Sequence, residues 1–281
     1  MHTNQIFGKG SKLLWLIVPL LITASWVGNL WFYHSMQLEK PFFLNHYMVL
    51  NGNYSDWIEL SYVENRKNGK KVTGIRLEEL PMLRFQINPH PGTYRHQVLG
   101  KAYGEWRKED FGQMEQVPFS IKEATVYYNE GAPEKVPIGE IRVDWEKSDG
   151  LLQMSSSSGS SDGTGQYSVT VNQSLVLEQI DYSFGDRLSP IFELSAAGRN
   201  KAGAIPQLPI RLAAGDPLTF SYKWNIPQEM PAASEVYKVY ISLTFKTEDG
   251  KTVRDRIPVN FNLYLSEKQI KWLVRSGGER S

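Results

Sequence analysis

Hydrophobicity along the chain falls into two regimes. From Leu13 to Tyr33 the sequence LLWLIVPLLITASWVGNLWFY runs 21 residues without a charge, and past it apolar and polar side chains alternate with a period of two. As a helix the first stretch reaches about 31 Å, close to the hydrocarbon thickness of a bilayer. Trp15 stands near one end, and Trp26, Trp31, Phe32 and Tyr33 crowd the other, where amphipathic rings favour the headgroup level. Pro19 would break a soluble helix, but a span tolerates it when Thr and Ser side chains re-satisfy the backbone. The run predicts a transmembrane helix over 13–33.

Lys9 and Lys12 precede that run with no acidic residue among positions 1–12, whereas Glu39 and Lys40 cancel after it. The positive-inside rule makes 1–12 a cytoplasmic tail and places residues 34–281 outside the cell membrane. A cleaved signal peptide with Leu13–Ile22 as its apolar core is the competing reading. Thr23-Ala24-Ser25 is a poor cleavage pattern, and cutting there would leave WVGNLWFY as an apolar N-terminus. Retention of the helix is therefore the expectation.

The remainder reads as β-structure. Leu218, Phe220, Tyr222 and Trp224 alternate with Thr219, Ser221 and Lys223, and the stretches Tyr237–Phe245 and Ile257–Leu265 do the same. That is the pattern of strands with one face in a core and one in water. Shorter alternations mark strands at Ile58–Tyr62, Ile141–Trp145 and Tyr167–Val171. The phase slips at Gly74 within Val72-Thr73-Gly74-Ile75, predicting a β-bulge. Asn68-Gly69 and Asp249-Gly250 carry type I′ turn chemistry, predicting hairpins that join 57–64 to 71–77 and 236–247 to 252–265. Pro118, Pro137 and Pro258 fall at predicted strand starts or edges.

SSSSGSSDGTG, residues 155–165, reads either as a flexible linker or as a long hairpin tip. The predicted fold is mostly β: after a connector at 34–40 come two antiparallel, immunoglobulin-like β-sandwich domains, 41–165 and 166–265. Ser266 and Gln269 form a capping box ahead of the apolar stripe Ile270, Leu273 and Val274, and Gly277-Gly278 ends it. A short amphipathic C-terminal helix and tail over 266–281 is expected to close on the last sandwich, with partner docking as the second reading.

Composition narrows the chemistry. The chain has no cysteine, which excludes disulfides, thiolate catalysis, Cys-based zinc sites and a lipidated cysteine anchor. For an exported chain of this size that leans towards a bacterial surface. Of 31 basic residues 29 lie beyond Tyr33, beside all 30 acidic ones. Such balance argues against nucleic acid as a partner and against a polybasic membrane-binding surface.

Catalytic patterns are absent. His2, His34, His46, His90 and His96 form no H-x-x-x-H or H-E-x-x-H pair. The serine-rich stretch has no G-x-S-x-G elbow, and Gly159, Gly163 and Gly165 lack the lysine of a P-loop. Asp162 alone makes a weak calcium ligand set. Glu105, Glu109 and Asp110 lie close in sequence, but the spacing of paired carboxylates is set in three dimensions. No catalytic residue, cofactor or metal is expected.

Two contact surfaces stand out instead. Arg66, Lys67, Lys70 and Lys71 flank the Asn68-Gly69 turn, a basic tip suited to anionic wall polymer or lipid headgroups. Its plainer reading is a solvated hairpin whose lysines discourage edge pairing. Trp57 and Trp106 fall outside the core phase and offer rings for a sugar, whereas Trp145 and Trp224 fall in phase with apolar neighbours. The sequence thus predicts a single-pass, membrane-anchored, extracytoplasmic β-sandwich protein with a non-enzymatic binding or assembly role at the cell envelope. Its expected partners are membrane lipid through the span, a membrane or envelope protein, and anionic wall polymer. An envelope hydrolase using loop carboxylates and a ligand sensor signalling through a membrane partner are the alternatives.

Overall fold

The computed structural model describes residues 10–107, 116–198, 208–227, 231–261 and 263–276. His2, Lys9, Glu109, Asp110 and Gly277-Gly278 lie outside the described residues, as do the side chains of Lys12, Leu13, His90 and Trp106. The first element is a helix, α1 (Gly10–Ser35), with Pro19 inside it. Every residue from Trp15 to Trp31 is exposed. Among the described residues it is the one helix long and apolar enough to cross a membrane, a property that a signal sequence shares.

Eight strands follow: β1 (Phe42–Phe43), β2 (His46–Asn51), β3 (Asp56–Asn65), β4 (Val72–Arg76), β5 (Phe85–Thr93), β6 (Gln97–Trp106), β7 (Phe119–Tyr128) and β8 (Glu134–Asp144). They stack as sheet β1-β3-β6-β5 and as the run β2-β8-β7-β4 of a larger sheet. Strands A, B, E, D opposite C, F, G define the immunoglobulin arrangement, and β1, β3, β6, β5 opposite β4, β7, β8 reproduce it in chain order. Alternation builds the interior: Ile58, Leu60 and Tyr62 are fully buried while Trp57 turns out. Each fully buried Leu or Ile contributes roughly 2 kcal/mol.

The second sandwich contains β9 (Leu152–Gly159), β10 (Thr164–Val171), β11 (Leu175–Tyr182), β12 (Phe192–Gly198), β13 (Ile210–Leu212), β14 (Pro217–Trp224), β15 (Val236–Thr247) and β16 (Thr252–Phe261). Sheet β12-β14-β10-β9 packs over β13-β11-β15-β16. Setting β13 aside, β9, β10, β14, β12 and β11, β15, β16 again give the A, B, E, D and C, F, G order; β13 is an extra strand on β11. A single helical turn, α2 (Gly185–Leu188), buries Leu188 in this core. Asp249-Gly250 joins β15 to β16 as the turn chemistry requires, with Gly250 at φ 81°.

Four expectations are corrected. Asn68-Gly69 does not close a hairpin: β3 pairs with β1 and β6, β4 pairs with β7, so the turn crosses between sheets as a B-to-C connection must. The sheets are not wholly antiparallel, since β2 runs parallel to both β8 and β15. Of the two readings of the serine-rich stretch the hairpin holds, with strands that run further into it than expected: β9 pairs with β10 about a turn at 160–163, which puts the stretch with the second core, so that the division expected at 165 falls inside this hairpin. Finally, α3 (Glu267–Arg275), capped by Ser266 and Gln269 as predicted, does not close on the second sandwich. Its Ile270, Leu273 and Val274 join the first core, together with Leu265. The bulge at Gly74 is present as a register shift between β4 and β7.

Candidate functional site

The basic turn sits beside the end of α1, and buried polar groups hold the two together. Met36 and Leu38 follow α1 directly and are both in the first core. The N–H of Leu38 donates to Asn65 Oδ1 at 2.9 Å, and Asn65 Nδ2 donates back to the Leu38 carbonyl at 2.7 Å. Gln97 Nε2 donates to the Met36 carbonyl. Phe32 and Tyr33 meet the His96 ring edge-on, centroids 6.3 and 5.8 Å away. Asn65, Gln97 and Glu64 are all buried, which a polar group tolerates only when its hydrogen bonds are met. Nothing in their spacing announces this latch; its one sequence signal is that polar residues end β3 where the apolar phase has just been inward.

The four cations of the turn do not act alike. Lys71 Nζ lies 3.2 Å from Glu64 Oε1 and donates to the Asn65 carbonyl. Lys70 pairs with Glu134 at 3.5 Å and lies over the Tyr128 ring. Glu134 also accepts from Lys40 at 2.5 Å, and that hydrogen bond, ahead of other causes, holds its carboxyl below the ordinary range. Arg66 and Lys67 are left exposed. The tip therefore divides into a tied half, Lys70 and Lys71, and an outward half, Arg66 and Lys67.

Trp57 lies elsewhere, at the start of β3. It is 49 % exposed, opposite Glu105 in register, and borders an open groove of about 570 Å³ with Asp56, Arg84, Gln86 and Tyr103. Lys238 of β15 reaches under it from the second sandwich. Its ammonium donates to Asp56 Oδ1 at 2.7 Å and to the Trp57 carbonyl at 2.9 Å, and sits 4.8 Å from the ring centroid. A cation on one face fixes the ring and leaves the rest of it to solvent. Burial, and after it the neighbouring Glu59 carboxylate, pushes the Tyr103 hydroxyl upward, so that hydroxyl is a neutral donor and acceptor at ordinary pH. Trp106 stands opposite Asp56 in register at the far end of β6.

Of the remaining candidates, Trp224 is buried as predicted and Trp145 packs beside Phe119 at 5.8 Å. His46 is a core bridge that the sequence does not foretell. Its Nε2 accepts the Ser61 N–H at 2.8 Å while Nδ1 lies 3.0 Å from the Ile138 carbonyl, linking the two sheets of the first sandwich. Asp162 caps its own turn through Thr164, which lowers its carboxyl pKa. Among the described residues no group of three or more His, Cys, Asp or Glu could hold a metal ion.

No family model matches the chain. No curated protein matches it either. Two solved structures are similar at low level. A protein of unknown function from Porphyromonas gingivalis W83 is 11% identical, covering 79% of this chain and 99% of that one, with a TM-score of 0.21. The Enterococcus faecalis MSCRAMM ACE, which binds its ligands by the collagen Hug model, is 7% identical over 76% of this chain and 91% of that one, at a TM-score of 0.19. Likeness this low carries no argument about what the chain does.

Proposed function

We propose that this chain is a single-pass, membrane-anchored extracytoplasmic protein of a bacterial cell envelope, with a non-enzymatic binding or assembly role served by the Trp57 groove. The observation that carries the reading is the join between α1 and the first sandwich. A helix apolar and exposed from Trp15 to Trp31 passes within five residues into a fully buried Met36. Such a surface needs lipid to cover it, and a domain fused to it without slack is presented at a set height and angle. The lysine asymmetry before α1 supports an orientation with the sandwiches outside.

The groove supplies the contact chemistry. An exposed indole ring beside amide, carboxylate and guanidinium groups suits a sugar-containing or peptide envelope polymer, stacking through the ring and hydrogen bonding at its rim. Photo-crosslinking from position 57 or 86 of the full chain in its native host tests this. Adducts with envelope material from these positions, but not from Ser156 at the far sheet, are the expected result; none from any position would refute it. Protease added to intact cells should digest the sandwiches, and full protection would overturn the orientation. Asp56 and Glu105 border the same groove and favour carboxylate hydrolysis as a second reading. Turnover of wall glycan by the purified full chain, lost in Glu105→Gln, would select it.

A further inference from the structure

α1 leaves little distance between the bilayer and the first sandwich. From Trp31, the last fully exposed apolar residue, to buried Met36 is five helical residues, a rise of about 7–8 Å. The headgroup layer on one side of a bilayer is itself about 5–8 Å deep. If α1 spans, whatever surrounds its exit lies among headgroups. Three segments surround it. The turn 66–69 follows Asn65 of the latch, and its Arg66 N–H donates to the His96 carbonyl at 2.8 Å. Residues 94–96 touch α1 through His96. The start of α3 is tied to that second segment, because Tyr94 Oη donates to the Leu265 carbonyl at 2.8 Å and the Arg95 N–H donates to Glu267 Oε1 at 2.7 Å.

Those segments have the composition of an interfacial surface. Chain-wide balance conceals it: 66–69, 94–96 and 264–276 together carry six Arg or Lys against the single carboxylate Glu267. With its Ile270 side sunk in the core, α3 turns Lys268, Trp272 and Arg275 outward, at i, i+4 and i+7 of one face. Trp272 is 44 % exposed, and Tyr264 just before the helix is 82 % exposed. Aromatic rings flanked by cations are what membrane interfaces favour, the rings at the headgroup level and the cations on anionic lipid.

We propose that Arg66, Lys67, Tyr264 and the Lys268–Trp272–Arg275 face of α3 form a collar that seats the first sandwich on the anionic headgroups of the membrane α1 crosses. This rests on the reading of α1 as a span, and it goes beyond the groove, which lies at the other end of β3. The collar makes the domain lie down on anionic lipid instead of swinging about the helix exit, and so sets the direction in which the groove faces.

The absence of native cysteine permits single-cysteine labelling of the full chain in lipid nanodiscs. Environment-sensitive dyes go at Lys67→Cys and Arg275→Cys, with Ser156→Cys as a remote position. In discs containing phosphatidylglycerol, a quencher carried on the headgroups should darken the labels at 67 and 275 and spare that at 156. In purely zwitterionic discs the quenching at 67 and 275 should fall. Neutralisation by Arg66→Gln, read from the label at 275, should weaken seating about fivefold, the effect of one cation near an anionic surface. Labels at 67 and 275 that behave like 156 in anionic discs would overturn the collar, as would seating that appears only when another membrane protein is added. A label at Leu21→Cys separates the two levels of the argument. Failure to be quenched by acyl-chain quenchers would remove the span itself, while quenching there with solvent-like labels at 67 and 275 would remove the collar alone.

Discussion

Replacing Asn65 by Ala should unlatch the helix from the sandwich. The Asn65 side chain makes two buried hydrogen bonds to one residue, accepting from the Leu38 N–H and donating to its carbonyl. Each is worth about 1 kcal/mol net, and each backbone group stranded without water costs about 1–3 kcal/mol. Leu38 is 9 % exposed and Asn65 5 %, so water reaches the vacated site poorly. Alanine also removes little apolar contact, which leaves the polar loss in charge of the result: roughly 2–4 kcal/mol. Asn65→Asp is the sharper variant. It keeps the acceptor, loses the donor, and sets a second carboxylate next to buried Glu64, for which Lys71 is already engaged. Urea unfolding of the full chain in detergent micelles would read the global cost, and cleavage after the exposed Glu39 by a glutamate-specific protease would read local opening. A lower midpoint with faster cleavage at Glu39 is expected for both variants. Unchanged cleavage together with a stability loss under about 0.5 kcal/mol, the usual scale of a neutral surface change, would refute the latch.

Three further outcomes are expected. Gly139→Ala should cost roughly 3–5 kcal/mol by denaturant titration, because Gly139 holds φ 95° and an added Cβ would stand 2.4 Å from the His46 N atom where β8 pairs with β2. Stability should fall between about pH 10 and pH 12: burial first, then Asp56 and Asp144, push the Tyr240 hydroxyl up to about 12, so the unfolded chain ionises first. The neutral form's advantage, about 3 kcal/mol at most, is complete below pH 10 and is lost progressively as pH rises through 12, and a Tyr240→Phe variant should show a shallower alkaline decline. Arg256→Gln should loosen the two sandwiches, because Arg256 Nη1 donates to both oxygens of Asp144 at 3.0 and 2.9 Å and Nη2 donates to Glu146; a loss of about 2–4 kcal/mol with earlier proteolysis at 145–150 is expected, and an unchanged digest would refute it.

How much of this was legible depends on whether the determinant is local. The period-two alternation of β14, β15 and β16 shows through because each strand buries one face against the other sheet, and a single face is readable in one dimension. The cap of α3 is equally local, a Ser and a Gln three residues apart. Asn68-Gly69 misleads for the converse reason. Turn chemistry specifies a reversal of direction, not whether the returning strand pairs with its predecessor or crosses to the facing sheet. The packing of α3 is misread because its apolar stripe, Ile270, Leu273 and Val274, states that a core is needed but not which one. The latch left only the polar end of β3 as a trace: Asn65 and Leu38 are 27 residues apart, and nothing periodic tells which distant backbone satisfies a polar side chain. The exposure of Trp57 was legible from phase; the Lys238 that orients it, 181 residues away, was not.

The joint between the sandwiches bears on what the groove and the collar can do together. Domains linked through small polar interfaces move independently by default. Here the first three residues of β15 pair with β2, and the Val236 N–H donates to the Asn45 carbonyl, so one sheet continues across both units. Asp255 receives the N–H groups of Leu151 and Leu152 and the Ser148 hydroxyl, fixing the covalent passage from the first sandwich into the second. Arg142 lies 4.1 Å from the Phe184 ring and Arg187 3.8 Å from the Tyr47 ring, each cation crossing from one unit to the other. Lys238 then ties the second sandwich to Trp57 itself. After β16 the chain returns as α3 to the first core, which closes the circuit at the end where α1 enters it. Trp57 is thus joined to the end of α1 along β3 itself, which ends in Asn65 of the latch, and through Lys238 to the second sandwich. A ligand held at the groove would pull on the helix rather than on a tether, and a displacement of the helix would turn the groove. That continuity of hydrogen-bonded structure, more than the identity of either sandwich, is what distinguishes this arrangement from two domains joined by a single linker.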